Sequence, residues 1–173
     1  MRDSEVVQCH GAIEMSNWSI RTARPGDEDA ILSLIRDLAL YEKAPEQAVA
    51  RPVDLTEALF SATPTAECVL AERDGEALGF ALFFTNFSTW TGRPGLYLED
   101  LFVQESARGE GIGKALLLHL AGLARQRNYG RMEWSVLDWN QPAIDFYESL
   151  GARPMKGWTV YRLDQSALSA LDS

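Results

Sequence analysis

Cysteine and histidine are scarce in this chain of 173 residues, with two of each. Cys9 and Cys68 build neither a disulfide framework nor the paired spacing of a zinc site. His10 and His119 are too scattered for a His-based metal centre, so no metal is expected. Positive charge is also in deficit: 16 Lys and Arg stand against 25 Asp and Glu, a net charge of −9. Nucleic-acid affinity comes from neutralising phosphates, so no nucleic-acid partner is expected. An acidic surface attracts cationic small molecules, or it serves solubility alone. No apolar run approaches the length of a membrane span, and no membrane partner is expected. The N-terminus lacks the basic start and apolar core of a signal peptide. The expectation is a soluble cytoplasmic protein.

What is present is an ordinary globular composition, 46% hydrophobic and 24% charged, in a chain long enough to bury a core. Residues 1–16 show no sustained period and are expected to be a disordered extension. Residues 17–173 are expected to form a single domain. A short strand is predicted at Trp18–Arg21. Asp27, Glu28 and Asp29 then open a helix whose apolar face is Ile31, Leu34, Ile35 and Leu38. It runs to about Glu42, and Ala44-Pro45 breaks it. A short helix follows at Asp54–Phe60. Strands are predicted at Cys68–Arg73 and Ala77–Phe84, joined by Asp74-Gly75, a tight-hairpin pair. The polar and aromatic stretch Thr85–Gly95, with Trp90 in it, reads as a loop. Further strands are predicted at Leu96–Val103, Arg131–Leu137 and Trp158–Leu163. Helices are predicted at Gly113–Asn128, after Asn140 with Pro142 in its first turn, and at Gln165–Leu171. Strands alternating with helices, with a hairpin among them, imply a mixed α/β sheet.

The stretch Leu96–Gly113 carries the most chemistry. An apolar strand holds two acids, Glu99 and Asp100, in its middle. Neighbours on a strand point to opposite faces, so one acid is expected in a cleft and the other toward solvent or a partner. The turn Arg108-Gly109-Glu110-Gly111-Ile112-Gly113 then leads straight into a helix, with Lys114 in its first turn. Glycines let backbone amides approach an anion, and the helix adds positive charge at its N-terminus. The turn is either a phosphate cradle or a plain connection. It is not a P-loop and not a dinucleotide fingerprint, because the glycine spacing and the ribose-binding acid are missing. Tyr147 is either a packed tyrosine or a phenol able to protonate a leaving group.

The strand YLEDLFV, the turn from Arg108 to Gly113, and Asn140 followed seven residues later by Tyr147 together resemble the GCN5-related N-acetyltransferases. The likeness runs from about Trp18 to Leu163. Leu38–Gln47, the STWTGR segment around Trp90 and VLDWNQ around Asn140 resemble the diamine branch, the thialysine and spermidine/spermine acetyltransferases. Ser88, where the polyamine type tends to carry an acid, favours a smaller amino-acid-like diamine.

That resemblance implies a mixed, mostly antiparallel central sheet with helices on both faces. It implies acetyl-CoA as acetyl donor and a small cationic amine as acceptor, attacking the thioester directly. The pyrophosphate would lie on Arg108, Gly109, Glu110, Gly111, Ile112, Gly113 and Lys114. The pantetheine would pair along Leu101, Phe102 and Val103, Asn140 would reach the cofactor arm, and Tyr147 would also contact the cofactor. A lysine-like amine has a pKa of about 10.4, so presenting it neutral at pH 7 costs about 4–5 kcal/mol and requires a base. Glu99, through water, is the expected base and Tyr147 the expected general acid. Glu42, Trp90 and Asp100 would hold the distal cation. A homodimer is expected. The competing readings are a protein lysine or N-terminal acetyltransferase and a non-catalytic acyl-CoA-binding module.

Overall fold

In the computed structural model, which describes residues 17–171, the chain begins with strand β1 (Ser19–Thr22) and helix α1 (Glu28–Tyr41). Glu28 and Asp29 occupy the first turn of α1, and Ile31, Leu32 and Leu34 are buried. Asp27 makes no side-chain cap bond. Its carboxylate instead accepts from both Nη atoms of Arg21 at 2.6 and 2.9 Å, while Arg21 Nε donates to Glu72 at 2.6 Å. One guanidinium thus ties β1, the start of α1 and the next strand together in the fork geometry that Arg favours. Helix α2 (Pro52–Phe60) starts two residues earlier than the apolar pattern predicts, because Pro52 fits the first helical position and Asp54 accepts from Arg51 N at 2.8 Å.

The sheet continues with β2 (Glu67–Arg73), β3 (Glu76–Ser88) and β4 (Arg93–Val103). Asp74 (φ 52°) and Gly75 (φ 85°) both adopt left-handed backbone, as the tight turn between β2 and β3 requires. Helix α3 (Ile112–Gln126) and β5 (Met132–Trp134) follow. The strand order is β1-β2-β3-β4-β5. The first four strands are antiparallel, and β5 pairs parallel to β4. This is the mixed, mostly antiparallel sheet expected.

Alternation along the strands builds two cores. Cys68, Leu70, Phe80 and Phe102 pack with Ile31, Leu34, Leu55 and Leu59 from α1 and α2 on one face. The intervening Val69, Ala71, Ala81, Phe83, Leu96 and Leu98 are buried as well, and α3 buries Ile112, Leu116 and Leu120 against the sheet. At Gly79 a Cβ would stand 2.6 Å from the Phe102 carbonyl oxygen, so the close approach of β3 to β4 there admits only glycine.

Three expectations are corrected. The predicted loop Thr85–Gly95 is mostly strand: Thr85 pairs with Leu96 and Ser88 with Arg93, leaving residues 89–92 as the hairpin tip. Its polar side chains find partners outside the core, which is why composition disguised them. Asn86 donates to Glu133 at 3.0 Å, and the Thr85 and Tyr129 hydroxyls meet at 2.8 Å. Next, β5 is three residues long rather than the predicted Arg131–Leu137, ending where its pairing with β4 ends. Finally, no strand forms over Trp158–Leu163, and none among the described residues pairs with it.

The chain divides into two compact units between Ser135 and Val136. The second unit carries α4 (Gln141–Ser149) and α5 (Gln165–Ala170). Pro142 lies in the first turn of α4, and Asn140 caps it by accepting from Ala143 N at 3.3 Å. The expected extension, with Cys9 and His10, lies outside the described residues.

Candidate active site

Strand β4 carries the centre of the site because of a break in its register. Leu98 stands opposite Phe83, but the next residue of β3, Leu82, stands opposite Asp100. Glu99 is therefore the extra residue of a β-bulge. Before the bulge Tyr97 lies opposite Phe84; after it Asp100 lies opposite Leu82, on that same face. Strict alternation, which predicted opposite faces for Glu99 and Asp100, fails here. Glu99 is exposed and Asp100 is half-buried.

The electrostatics follow from that crowding. Burial, then the charges of Glu99 and Glu42, push the Asp100 carboxyl up to about 6. Glu42, at the C-cap of α1, is itself raised by burial. Three of the predicted acids are thus brought into electrostatic contact. Cys68, Leu82 and Asp100 form a row across the sheet. Burial, with Asp27 and Asp100 in support, pushes the Cys68 thiol up to about 12, so it is no nucleophile at neutral pH.

Trp90 is not brought to these acids. It sits at the hairpin tip, 88% exposed. Asp100 lies seven positions along β4 from Arg93, a span of about 20 Å at strand rise.

Beyond the bulge β4 parts from β5. The parallel pairing covers only Leu96–Leu98 against Met132–Trp134. From Glu99 to Val103, no strand among the described residues pairs with that edge of β4. The edge of β4 over Leu101, Phe102 and Val103 is thus open, the arrangement that an extended amide-bearing ligand can extend as a strand.

The edge leads into the turn. Gly109 (φ 84°) and Gly111 (φ 82°) adopt left-handed backbone, and a Cβ at either would meet nothing within 4 Å. Gly111 is the N-cap of α3, which has no side-chain cap bond and no acid in its first turn. The first N–H groups of α3 are therefore left to an external anion. A pyrophosphate fits these residues. Among the described residues no group of three or more His, Cys, Asp or Glu is arranged to hold a metal ion, and no helix is long and apolar enough to cross a membrane.

The Arg108 side chain turns the other way, a placement the sequence did not reveal. Its Nε donates to the Val103 carbonyl at 3.2 Å, and its guanidinium lies 4.8 Å from the Tyr41 ring centroid and 5.7 Å from that of Phe102. It forms one side of a cavity of about 530 Å³ between the last turns of α1 and the end of β4, lined also by Asp37, Tyr41 and Glu105. Asn140 and Tyr147 belong to the second unit, where Asn140 is buried and Tyr147 lies on α4.

A strand with a bulged acid pair and a parted neighbour thus runs into a glycine turn at the start of a helix. The chain belongs to the acetyltransferase (GNAT) family, whose model matches residues 32–152. It is an N-acetyltransferase by that membership. It is 36% identical to the thialysine N-epsilon-acetyltransferase of Sus scrofa, covering 91% of this chain and 98% of that one. An L-ornithine N5-acetyltransferase of Arabidopsis thaliana is 46% identical over a shorter stretch, 54% of this chain and 41% of that one. Among solved structures, an integron cassette protein from the mobile metagenome of V. cholerae matches with a TM-score of 0.77 and 29% identity, over 90% of this chain and 98% of that one. The likeness to the diamine branch read from the sequence agrees with these relatives.

Proposed function

We propose that this chain transfers an acetyl group from acetyl-CoA to a primary amine of a small diamine or lysine-like amino acid, of thialysine or polyamine type, by direct attack. The observation that carries this reading is the bulge at Glu99. It gathers Glu99, Asp100 and Glu42 at one point of an open strand edge that leads directly into the glycine turn. Acids so placed suit a cationic acceptor beside a phosphate-bearing donor. The relatives' names, thialysine and ornithine acetyltransferases, support the same acceptor class.

Acetyl-CoA supplies an acetyl thioester. The backbone amides of the Arg108–Gly113 turn and Lys114 would hold its phosphates, the Leu101–Val103 edge its pantetheine amides, and Asn140 would reach the same arm. Asp100, with a carboxyl pushed to about 6, is mostly ionised at neutral pH, and a bound ammonium group favours that charge further. Asp100 and Glu42 hold the distal cation, without Trp90, which stands at the far hairpin tip. Glu99, exposed to water, takes the proton from the attacking amine through a water molecule. Tyr147 gives its phenolic proton to the departing thiolate sulfur. A cytoplasmic homodimer is part of the proposal, on the resemblance alone.

The test is release of free CoA with a panel of thialysine, lysine, ornithine, spermidine and a histone peptide. Turnover with the small diamines above the peptide is the expected result. Turnover with the peptide alone would replace this reading by a protein acetyltransferase, and no release with any amine would leave an acyl-CoA-binding module.

A further inference from the structure

The glycine turn contains an acid, Glu110, immediately before the N-cap of α3. An anionic side chain at that position competes with any external anion for the positive end of the helix. It also repels a pyrophosphate directly, within the range where charges act in ordinary salt. A phosphate-binding turn with such a residue needs something to offset it.

Arg73 does so in this structure. It is the last residue of β2, 37 positions earlier in the chain, and its Nη2 donates to Glu110 Oε2. The two side chains are 27% and 36% exposed, so the pair is partly shielded. No acid stands in the first turn of α3, so Glu110 is the adverse charge nearest the helix start. The turn between Gly109 and Gly111 is otherwise glycine on either side and carries no other side chain to shield it.

We infer that Arg73, reaching from the β2–β3 hairpin, neutralises Glu110 and turns it away from the phosphates, making Arg73 a positioning residue for a phosphate-bearing donor. The inference rests on the reading of the turn as the acetyl-CoA phosphate cradle. It predicts a defect that depends on the donor's phosphates and not on its thioester.

The measurement compares KM for acetyl-CoA with KM for acetyl-pantetheine, which carries the thioester without phosphates. Arg73→Ala should raise the acetyl-CoA KM by about three- to fivefold, the scale of one exposed charge interaction, with no parallel rise for acetyl-pantetheine. The double variant Arg73→Ala with Glu110→Gln should bring the acetyl-CoA KM back toward the wild-type value. Glu110→Gln alone should lower it, because Arg73 then faces the phosphates unopposed. That single variant keeps the inference testable if Arg73→Ala folds poorly. An equal rise for both donors, or a raised acetyl-CoA KM in Glu110→Gln, would mean that the pair only braces the turn and would overturn the inference. A wild-type enzyme that fails to use acetyl-CoA would overturn the cradle itself, a separate outcome read before any variant is made.

Discussion

Tyr97 and Asp100, three residues apart on β4, lie on the same face of the sheet, because Tyr97 stands opposite Phe84 and Asp100 opposite Leu82. An odd spacing on a regular strand would separate them. The extra residue, Glu99, is what places Asp100 on the α1 face beside Glu42 and in line with Cys68.

Asp100 should make the fold less stable as pH rises from about 4 to 6. Its folded pKa of about 6 stands above the ordinary 3.8 of an aspartate, so the folded state holds the proton through that window while the unfolded chain has released it. The charged form is the burdened one, by roughly 2–3 kcal/mol at most. Asp100→Asn should remove that dependence and raise stability at pH 7. Urea unfolding of both proteins between pH 4 and pH 8 measures it, and parallel curves would contradict the assignment.

Asp27 should act with the opposite sign. The Arg21 guanidinium holds its carboxyl below the usual range, so the stability it contributes is full above the unfolded pKa and is lost as pH falls through the folded one. Arg21→Ala breaks bonds to both Asp27 and Glu72 and should cost about 1–3 kcal/mol. Thermal melts at neutral pH check the magnitude, and the gap between variant and wild type should narrow in acid.

Acid–base variants should separate by pH. Tyr147→Phe should lower kcat about 100-fold, the scale of one general acid, while the acetyl-CoA dissociation constant stays near wild type. Glu99→Gln should lower kcat/KM by a similar factor and flatten the acidic limb of its pH profile. Unchanged turnover in the first, or an unchanged profile in the second, would remove that residue from the mechanism.

Gly111→Ala isolates backbone conformation from crowding. A Cβ there meets nothing within 4 Å, yet the φ of 82° is one that L side chains rarely adopt. The strain is about 1–2 kcal/mol. Calorimetry should show weaker acetyl-CoA binding with amine affinity little changed; undisturbed acetyl-CoA affinity would argue against the cradle.

The helices were legible because their signals are local. Ile31, Leu34 and Leu38 share a face by spacing alone, Asp74-Gly75 turns as its residue types require, and Asn140 with Pro142 starts α4. The fold family was legible from the ordered set of YLEDLFV, the glycine turn and the Asn140–Tyr147 pair. What escaped depends on partners distant in the chain. No glycine or proline marks the bulge at Glu99, which exists only in the register against β3. Arg73 and Glu110 are joined only by the fold. Thr85–Ser88 read as loop because its polar side chains meet Tyr129 and Glu133 far along the sequence. Trp158–Leu163 has the composition of a strand, but a strand also needs a neighbour.

The parting of β4 from β5 leaves a stretch of strand edge that no other strand among the described residues covers, the kind of edge that invites strand addition by another chain. Here the length of edge that a foreign strand could pair with begins at two adjacent acids and a break in register. Charge and irregularity are the devices by which sheet proteins discourage self-association. The residues proposed to handle the amine therefore also guard the gap, and neutralising both Glu99 and Asp100 would trade catalysis for a tendency to aggregate.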